Sequence, residues 1–394
     1  MKFTLFFLLV CGTLTAQDLY FVDEPTLTPD GSEIIFSYNQ DLWRVPAAGG
    51  MADRITALEG NETNPSISPD GQYLAFSGNQ YGNLDVYLMP LAGGAIRQLT
   101  YHEADDKVES WSWDNDRIYF TSGRDNRMST YTVTVQGGTP RRHFGENYFN
   151  TVHNAVEHPD GSIYFNESWE SSLFVHRKRY RGPFNPEIKR YDAASDTYSK
   201  LTDWEGKDML PVIDREGEVY FVSDRDNEEY NLYRLTEGGA ERLVDSEQSI
   251  FSPAVSADGS RLAYIKNYQL YTFDPASGQE TKVPVTVSGF ESLAKQQDFK
   301  TGGNITAFDV AHDGKKIAFV SRGELFVADE EGKFIRQLQT GPGRVREVKW
   351  LKDNLTLLFN QTVDGYLNWF TLPADGSGEM TQRTDDDRNN RSLV

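Results

Sequence analysis

Cysteine is nearly absent from this chain, since Cys11 is the only one among 394 residues. It lies in an N-terminal segment with the order of a signal peptide, in which Met1-Lys2 precedes an apolar run and then small residues up to Ala16. We therefore expect cleavage after Ala16 and export to the periplasm. The mature chain would then contain no disulfide and no thiolate chemistry.

Long apolar runs and positive charge are also scarce. A membrane-spanning helix needs about 20 apolar residues, and neither the run from Phe3 to Val10 nor any later segment reaches that length. The formal net charge is -20 at pH 7. Because so acidic a surface repels phosphates, we expect no nucleic-acid partner and no membrane partner.

Signatures of common catalytic sites are missing as well. The pentapeptide Gly-x-Ser-x-Gly, which sets a nucleophilic serine on a strained turn, does not occur. His102-Glu103 begins like the zinc motif His-Glu-x-x-His, but Asp106 stands where the second histidine is required. We predict no catalytic residue, no metal site and no cofactor in this chain.

One repeated pattern is abundant. A short β-rich stretch leads to Pro-Asp-Gly or a relative, followed by two strands, Gly-Gly, and a last strand near Arg-x-Leu-Thr; the clearest copy runs from Asn64 to Thr100. Glycine reaches the positive φ angles of tight turns, so Asp-Gly and Gly-Gly between alternating apolar runs indicate hairpins. Each repeat is therefore predicted to be a four-stranded antiparallel meander.

The repeat occurs eight times, at spacings of 40 to 56 residues between equivalent turn positions. These positions are Gly31, Gly71, Asn115, Gly161, Gly217, Gly259, Gly314 and Asn354. A four-stranded unit of this size fits a β-propeller blade, and blades bury both faces only by packing radially around a channel. We predict an all-β fold, a β-propeller of four-stranded antiparallel blades.

Two long spacings interrupt the series. One contains an insertion, Asn166 to Pro186, between the second and third strands of the fourth blade, and the other holds a polar stretch between repeats. The alternative to two propellers is a single eight-bladed ring. We predict a signal peptide at 1–16, a six-bladed propeller at 17–285, a linker at 286–304 and the first two blades of a second, incomplete propeller at 305–394.

The insertion carries a basic run, from His176 to Arg181, that is unusual in so acidic a chain. The candidate docking residues for a peptide carboxylate or a neighbouring domain are Arg177, Lys178, Arg179 and Arg181. The alternative is a solvated surface whose cations pair with the abundant Asp and Glu of the same chain, as surface ion pairs commonly do.

The blade pattern Pro-Asp-Gly, Ala-Phe-Ser, Asp-Val-Tyr, Gly-Gly and Arg-x-Leu-Thr resembles the PD40 repeats of TolB and of tricorn-type proteases. Two segments favour the second family, the S41-type serine peptidases. The interrupted fourth blade continues from Glu187 to Gly206 in the tricorn-type pattern. The stretch from Ile317 to Val327 resembles the opening blade of the second propeller in exported bacterial tricorn-like proteases. The likeness covers essentially the whole mature chain.

In that family a six-bladed and a seven-bladed propeller precede a PDZ domain and a serine-protease core, and these later parts have no counterpart here. The resemblance implies a fragment of a longer protein, whose non-catalytic propellers admit or guide peptides toward the protease core. Its partners would be peptides and downstream protease and PDZ domains, with a homo-oligomer left open. The alternatives are a stand-alone, TolB-like periplasmic protein-binding propeller, or a metal-dependent propeller lyase that uses His143, His153 and His158.

Overall fold

The computed structural model of this chain describes residues 19–125, 127–145, 151–288 and 303–392. The predicted signal peptide and most of the predicted linker lie outside the described residues. The chain divides into two compact units, Met1–Gly289 and Phe290–Val394. We refer to the first as the ring unit and to the second as the two-blade unit.

The ring unit contains six sheets, each formed by four strands that are consecutive in the sequence and paired antiparallel. Each sheet is one blade, and its first strand is the innermost. The strands, four to a blade, are β1 (Asp23–Leu27), β2 (Glu33–Tyr38), β3 (Asp41–Pro46), β4 (Gly50–Arg54), β5 (Glu62–Ile67), β6 (Tyr73–Gly78), β7 (Asp85–Pro90), β8 (Arg97–Gln98), β9 (Asp106–Trp111), β10 (Arg117–Ser122), β11 (Ser129–Thr134), β12 (Arg141–Arg142), β13 (Val152–Glu157), β14 (Ile163–Glu167), β15 (Ile188–Asp192), β16 (Thr197–Lys200), β17 (Asp208–Ile213), β18 (Val219–Ser223), β19 (Asn231–Thr236), β20 (Gly239–Arg242), β21 (Ile250–Val255), β22 (Leu262–Lys266), β23 (Gln269–Asp274) and β24 (Gln279–Lys282). A short helix, α1 (Trp169–Leu173), lies in the insertion between β14 and β15.

The six blades close into a ring, because every junction between neighbouring blades has its own buried apolar cluster. The junction of the sixth blade with the first is typical. There Ala263 and Ile265 of β22 pack in one cluster with Ile34 and Phe36 of β2. Both faces of each sheet are therefore covered, as the alternation of apolar residues in the repeats requires.

A short additional strand, β25 (Val285–Val287), returns from the sixth blade and pairs parallel with β4 of the first. Val285 lies opposite Gly50, and the Gly50 N–H donates a hydrogen bond to the carbonyl oxygen of Pro284 at 2.8 Å. The predicted linker, 286–304, thus begins inside a strand. Because this three-residue strand pairs with a part of the chain that is distant in the sequence, no local sequence pattern indicates it.

The innermost strands share a β-bulge. In five of the six blades a residue other than glycine adopts a left-handed backbone conformation at the bulge, with φ between 49° and 58°. These residues are Glu24, Asn64, Asn154, Leu210 and Ser252. The ladder register shifts at the same place. A bulge bends the strand and redirects its side chains, so it shapes the wall that faces the centre of the ring.

The two-blade unit contains two further sheets of the same design. A single buried cluster, which includes Val320, Trp350 and Phe359, packs these two blades together. Their strands are β26 (Ile305–Val310), β27 (Lys316–Ser321), β28 (Glu324–Asp329), β29 (Ile335–Leu338), β30 (Val345–Trp350), β31 (Thr356–Val363), β32 (Tyr366–Pro373) and β33 (Thr381–Gln382).

The predicted fold class, an all-β propeller of four-stranded antiparallel blades, is confirmed. Helical structure in the described part of the chain is limited to α1, which has five residues. In the same part of the chain, no helix combines the length and apolar character needed to cross a membrane.

Candidate functional site

The six innermost strands surround a central cavity of ≈ 900 Å³. At the strand position that follows the bulge, the two halves of the ring contribute side chains of different chemistry to the wall. Blades one to three contribute the hydroxyl-bearing side chains of Thr26, Ser66 and Ser110, whereas blades four to six contribute the apolar side chains of Val156, Val212 and Ala254. A cavity of this size, with both polar and apolar walls, matches the usual dimensions of ligand sites in proteins.

Proline occupies the cavity wall at the bulge in four blades, at Pro25, Pro65, Pro211 and Pro253. Proline has no N–H, so these positions present no unpaired backbone donor to the cavity. In the fourth blade Ala155 takes this position, and its N–H donates to Glu109 Oε2 at 3.1 Å. The wall at this level therefore offers few groups that would hold an extended chain tightly.

Two carboxylates in the cavity wall join neighbouring blades. Glu109 of blade three accepts hydrogen bonds from the N–H groups of Asn154 and Ala155 in blade four, at 2.5 and 3.1 Å. Glu24 of blade one accepts from the N–H of Asn64 in blade two, at 2.7 Å, and from its side-chain amide at 2.9 Å. Burial raises the pKa of Glu109 to about 7 and also raises the pKa of Glu24.

The insertion of blade four borders one end of the cavity. Ser171, Ser172, Val175, His176 and Lys178 line this end, which we call the insertion mouth. The helix begins with a hydrogen bond from the Glu170 N–H to the Ser168 hydroxyl at 3.0 Å, the usual function of a serine N-cap. The His176 ring lies 4.6 Å from the ring of Phe251 in blade six. The insertion thus reaches across blade five to blade six.

A buried ion cluster fixes the insertion. The side chains of Glu170 and Lys207 are both fully buried, and Lys207 Nζ lies 2.9 Å from Glu170 Oε1. Arg177 donates a second charged hydrogen bond to the same oxygen at 2.8 Å. Burial lowers the pKa of Lys207, and the Glu170 carboxylate opposes that effect. A buried carboxylate is tolerated only with such partners.

All four candidate docking residues form ion pairs with carboxylates of the same chain. Arg177 pairs with Glu170, Lys178 with Glu229 at 2.5 Å, Arg179 with Glu228 at 2.7 Å and Arg181 with Asp224 at 2.7 Å. Arg179 remains the most exposed of the four, with 67% of its side-chain surface accessible. The arrangement matches the alternative of internal pairing, and docking stays a prediction.

The opposite end of the cavity, which we call the turn mouth, is crossed by one side chain. Arg215 follows β17 in blade five, and its guanidinium donates to the carbonyl oxygen of Pro69 in blade two at 2.9 Å. Its Cζ lies 5.9 Å from the ring centroid of Trp113 in blade three. Its backbone N–H donates to Ala257 of blade six at 2.9 Å. Since blades two and five are opposite each other in a six-membered ring, Arg215 bridges this mouth.

Sequence reasoning did not identify Arg215, although a signal was present. The residue before Asp-Gly in the first turn is proline in blades one, two and four. Trp113, Arg215 and Ala257 replace it in blades three, five and six, and Arg215 contacts the other two over the turn mouth. A departure from the repeat consensus at a fixed position would have indicated a specialised residue.

The three histidines of the lyase alternative occupy separate environments. The His143 ring meets the Tyr119 ring edge to face, and burial lowers the pKa of His143 to about 4. Burial also lowers the pKa of His153 to about 4, and its Nε2 lies 2.9 Å from the Ser171 hydroxyl. His158 Nδ1 lies 2.9 Å from Asp160. Within the described ranges, no three His, Cys, Asp or Glu side chains are grouped to hold a metal ion.

Comparison with known proteins gives two family matches. Residues 20–279 match the model of the tricorn protease N-terminal beta propeller domain. Residues 205–362 match the model of the lipoprotein LpqB beta-propeller domain. The first match covers most of the ring unit and the second spans the end of that unit and much of the two-blade unit.

The chain is 25% identical over 190 residues to the tricorn protease of Thermoplasma acidophilum, covering 48% of this chain and 17% of that protein. It is 28% identical over 153 residues to a tricorn protease homolog of Saccharolobus solfataricus, covering 38% of this chain and 14% of that protein. A crystal structure of the tricorn protease superposes with a TM-score of 0.62 at 19% identity, covering 94% of this chain and 36% of that chain.

This chain therefore spans well under half the length of the proteins that it matches. The resemblance to tricorn-type proteases drawn from the repeats is confirmed by the family model and by both curated relatives. Because the first family model matches more than half of the residues, the chain belongs to the tricorn protease N-terminal beta propeller family.

Proposed function

We propose that these residues form the non-catalytic propeller region of a tricorn-like serine protease, and that they admit or guide peptides toward a protease core outside this chain. The family membership and the matches to two tricorn proteases support this proposal. The observation that carries it is the central cavity, to which all six innermost strands contribute. In this proposal the catalytic residues of the protease lie outside this chain.

The wall of the cavity suits a peptide that must be admitted and later released. An extended peptide binds tightly where a sheet edge or a row of free N–H groups can pair with its backbone. At the bulge level four prolines remove those donors, and the Asn154 and Ala155 N–H groups are already bonded to Glu109. Contacts with side chains, which are weak and varied, would dominate the binding.

The basic run of the insertion has a place in this proposal. Lys178 lines the insertion mouth, and Arg177, Arg179 and Arg181 flank it in the sequence. We propose that the run docks a peptide carboxylate or a neighbouring protease or PDZ domain by exchanging its present carboxylate partners. Reversal of charge at Arg179, the most exposed of these residues, should weaken docking while leaving the Glu170 cluster intact.

We also propose that the protein is exported and acts in the periplasm, as the N-terminal pattern up to Ala16 suggests. The match of residues 205–362 to the propeller of a lipoprotein supports an envelope location. A homo-oligomer is compatible with the proposal. Fractionation of cells that express the full-length gene would test the location, and recovery in the cytoplasm would contradict it.

Peptide titration of the purified chain tests the function. Ala254 lines the cavity on β21, so Ala254→Trp should fill part of it and weaken the binding of a fluorescently labelled peptide mixture at least several-fold. Ala276→Trp, in an exposed turn of the same blade, is the matched control and should bind as the unaltered chain does. If the two variants bind equally, the cavity is not the peptide site.

A further inference from the structure

An exposed aromatic pair lies at the insertion mouth, where the first and sixth blades meet. The rings of Phe21 and Tyr268 are 5.2 Å apart, and the Phe21 N–H donates to the Tyr268 carbonyl oxygen at 2.9 Å. Phe21 is 72% exposed and Tyr268 is 61% exposed. Tyr268 lines the cavity, as do Val22 and Asp23 next to Phe21.

Both aromatic residues are in a backbone conformation that side chains of their size rarely adopt. Their φ angles are 65° and 61°, in the left-handed region where a bulky residue is a genuine outlier. Such outliers persist where the surrounding structure enforces them, and they concentrate at binding sites. The strain is therefore a reason to ask what the pair does.

Equivalent hairpins show that the strain at Tyr268 is avoidable. Asn267 and Tyr268 form the two-residue loop between β22 and β23, a type of loop that requires positive φ at both positions and favours glycine. In the two-blade unit the same loop has Gly323 or Gly365 at the second position. The ring unit carries a large exposed tyrosine where glycine would adopt the same backbone conformation without steric strain.

The need to close the ring does not explain the presence of this aromatic pair. The junction of blades six and one already has a buried apolar cluster and the parallel strand β25. With most of their surface in solvent, Phe21 and Tyr268 add little buried area to that junction. A residue that is costly to the fold and contributes little to packing is better explained by an external ligand.

The charges at this mouth indicate the kind of ligand. Asp23 and Glu247 line the same mouth, and Asp23 accepts a hydrogen bond from Ser252 at 2.9 Å. The lysines around this mouth have other partners or positions. Lys178 is paired with Glu229 and Lys266, beside the Tyr268 loop, with Glu280. Lys107 lines the cavity from blade three, opposite blade six in the ring. Exposed aromatic faces attract cations, and arginine and lysine are the common partners.

We propose that the paired rings of Phe21 and Tyr268 bind a lysine or arginine side chain of an extended peptide at the insertion mouth, with Asp23 and Glu247 favouring its positive charge. This inference rests on the proposed function, because it names the peptides that the cavity takes. The rings would contact the cation and its alkyl chain, and the rest of the peptide would enter the cavity.

Calorimetric titration with three blocked peptides that differ at one central residue, lysine, norleucine or glutamate, tests the proposal. The lysine peptide should bind best, and Phe21→Ala and Tyr268→Gly should each weaken it about fivefold, as expected for an exposed cation–aromatic contact. The norleucine peptide should lose less. Tyr81→Ala, at a 79% exposed tyrosine that does not line the cavity, is the control and should change nothing.

Thermal unfolding separates the ligand role from a structural role. Tyr268→Gly relieves the left-handed strain, so its unfolding temperature should equal or exceed that of the unaltered chain while binding falls. A lower unfolding temperature with unchanged binding would show that the pair only holds the ring together, and would overturn the inference. If peptides bind and Ala254→Trp blocks them, but all three peptides bind equally, only this inference fails. If no peptide binds the unaltered chain, the proposed function fails with it.

Discussion

The ring unit and the two-blade unit are built from the same repeat, yet they differ in how completely the faces of their sheets are covered by neighbouring blades. In the ring unit every sheet lies between two others. In the two-blade unit the first sheet has an open apolar face, on which Phe308, Val310 and Ile335 are 67%, 44% and 59% exposed. Phe308, Phe319 and Phe326 are in register across β26, β27 and β28 on this face.

Each blade therefore has apolar residues on both faces of its sheet, one face for each neighbouring blade. Ala318, Val320 and Val327 are buried against the second blade of the two-blade unit, whereas the aromatic row on the other face has no counterpart among the described residues. Soluble proteins rarely leave an apolar patch of this kind open without a partner. A further blade, packed as in the ring unit, would cover it.

Alanine substitutions on a covered face and on the open face should differ most in their effect on stability. Phe76 is fully buried at the junction of blades one and two, so Phe76→Ala should reduce the free energy of unfolding by about 3–5 kcal/mol. Phe308→Ala, at an exposed position, should change it by less than about 0.5 kcal/mol. Urea unfolding of both variants measures the contrast, and similar losses would mean that the face around Phe308 is covered in solution.

Removal of Glu170 should have the next largest effect. Glu170→Ala leaves the buried Lys207 and the Arg177 guanidinium without their shared carboxylate, which should destabilise the ring unit by about 3 kcal/mol or more. The control is Arg179→Ala, which removes an ion pair with Glu228 that is more than half exposed on both sides. It should cost less than about 0.5 kcal/mol in the same urea experiment. Equal losses would show that burial does not distinguish the two pairs.

The buried carboxylates Glu62 and Glu109 of the ring unit should contribute to the pH dependence of stability with the opposite sign to the exposed carboxylates Asp353 and Asp375 of the two-blade unit. Burial raises the pKa of Glu62 and Glu109 in the ring unit to about 7, above the value of 4.5 expected in the unfolded chain. The protonated forms are therefore favoured by folding, and their contribution is complete below about pH 4.5 and lost as the pH rises through 7. In the two-blade unit hydrogen bonds lower the pKa of Asp353 and Asp375, whose contribution is lost toward acid.

For Glu109 alone the loss between pH 4.5 and 7 should be roughly 3 kcal/mol, since one pKa unit corresponds to about 1.4 kcal/mol. Unfolding measured across this range by intrinsic fluorescence isolates this loss as the difference between the unaltered chain and Glu109→Gln, because His143 and His153, whose pKa burial lowers to about 4, contribute with the opposite sign in both proteins. The variant Glu109→Gln cannot titrate and should have a flatter profile, even if it is less stable throughout. An unchanged slope would mean that Glu109 is ionised over the whole range.

The smallest predicted effect concerns the additional strand β25. Gly49 and Gly93 occupy the same turn in blades one and two, with φ angles of 88° and 91°. A Cβ on Gly49 would lie 2.5 Å from Pro284, whereas one on Gly93 would meet nothing within 4 Å. Both changes to alanine incur the left-handed strain, so the excess loss in Gly49→Ala, about 1 kcal/mol, reports the β25 contact. No excess in paired thermal melts would show that β25 does not hold to β4 in solution.

The blade repeat and its turns could be predicted from the sequence because they are local. Asp-Gly turns, alternating apolar strands and the interruption of blade four are each contained within a few tens of residues. Asn115 illustrates the strength of the pattern, since it replaces the turn glycine in blade three and adopts the same left-handed conformation, with φ of 63°.

The contents of the cavity could not be predicted, because they depend on which residues the ring brings together. Arg215 and Pro69 are 146 positions apart in the sequence, and the partner of Arg177 is a buried glutamate that looks like any surface acid. Leu210, a bulky residue in a left-handed bulge, gives no sequence signal for its conformation. Each of these features depends on contacts between residues that are distant in the sequence, and a repeat pattern does not indicate such contacts.

We propose that the two-blade unit is the beginning of a second ring in a longer, tricorn-like protease chain. Determining the coding sequence beyond the codon for Val394 tests it most directly. We expect further four-stranded repeats with apolar faces, including one that can cover Phe308, followed by a PDZ region and a serine-protease core. A stop codon immediately after Val394 would contradict it, and would leave a binding propeller with an open aromatic face.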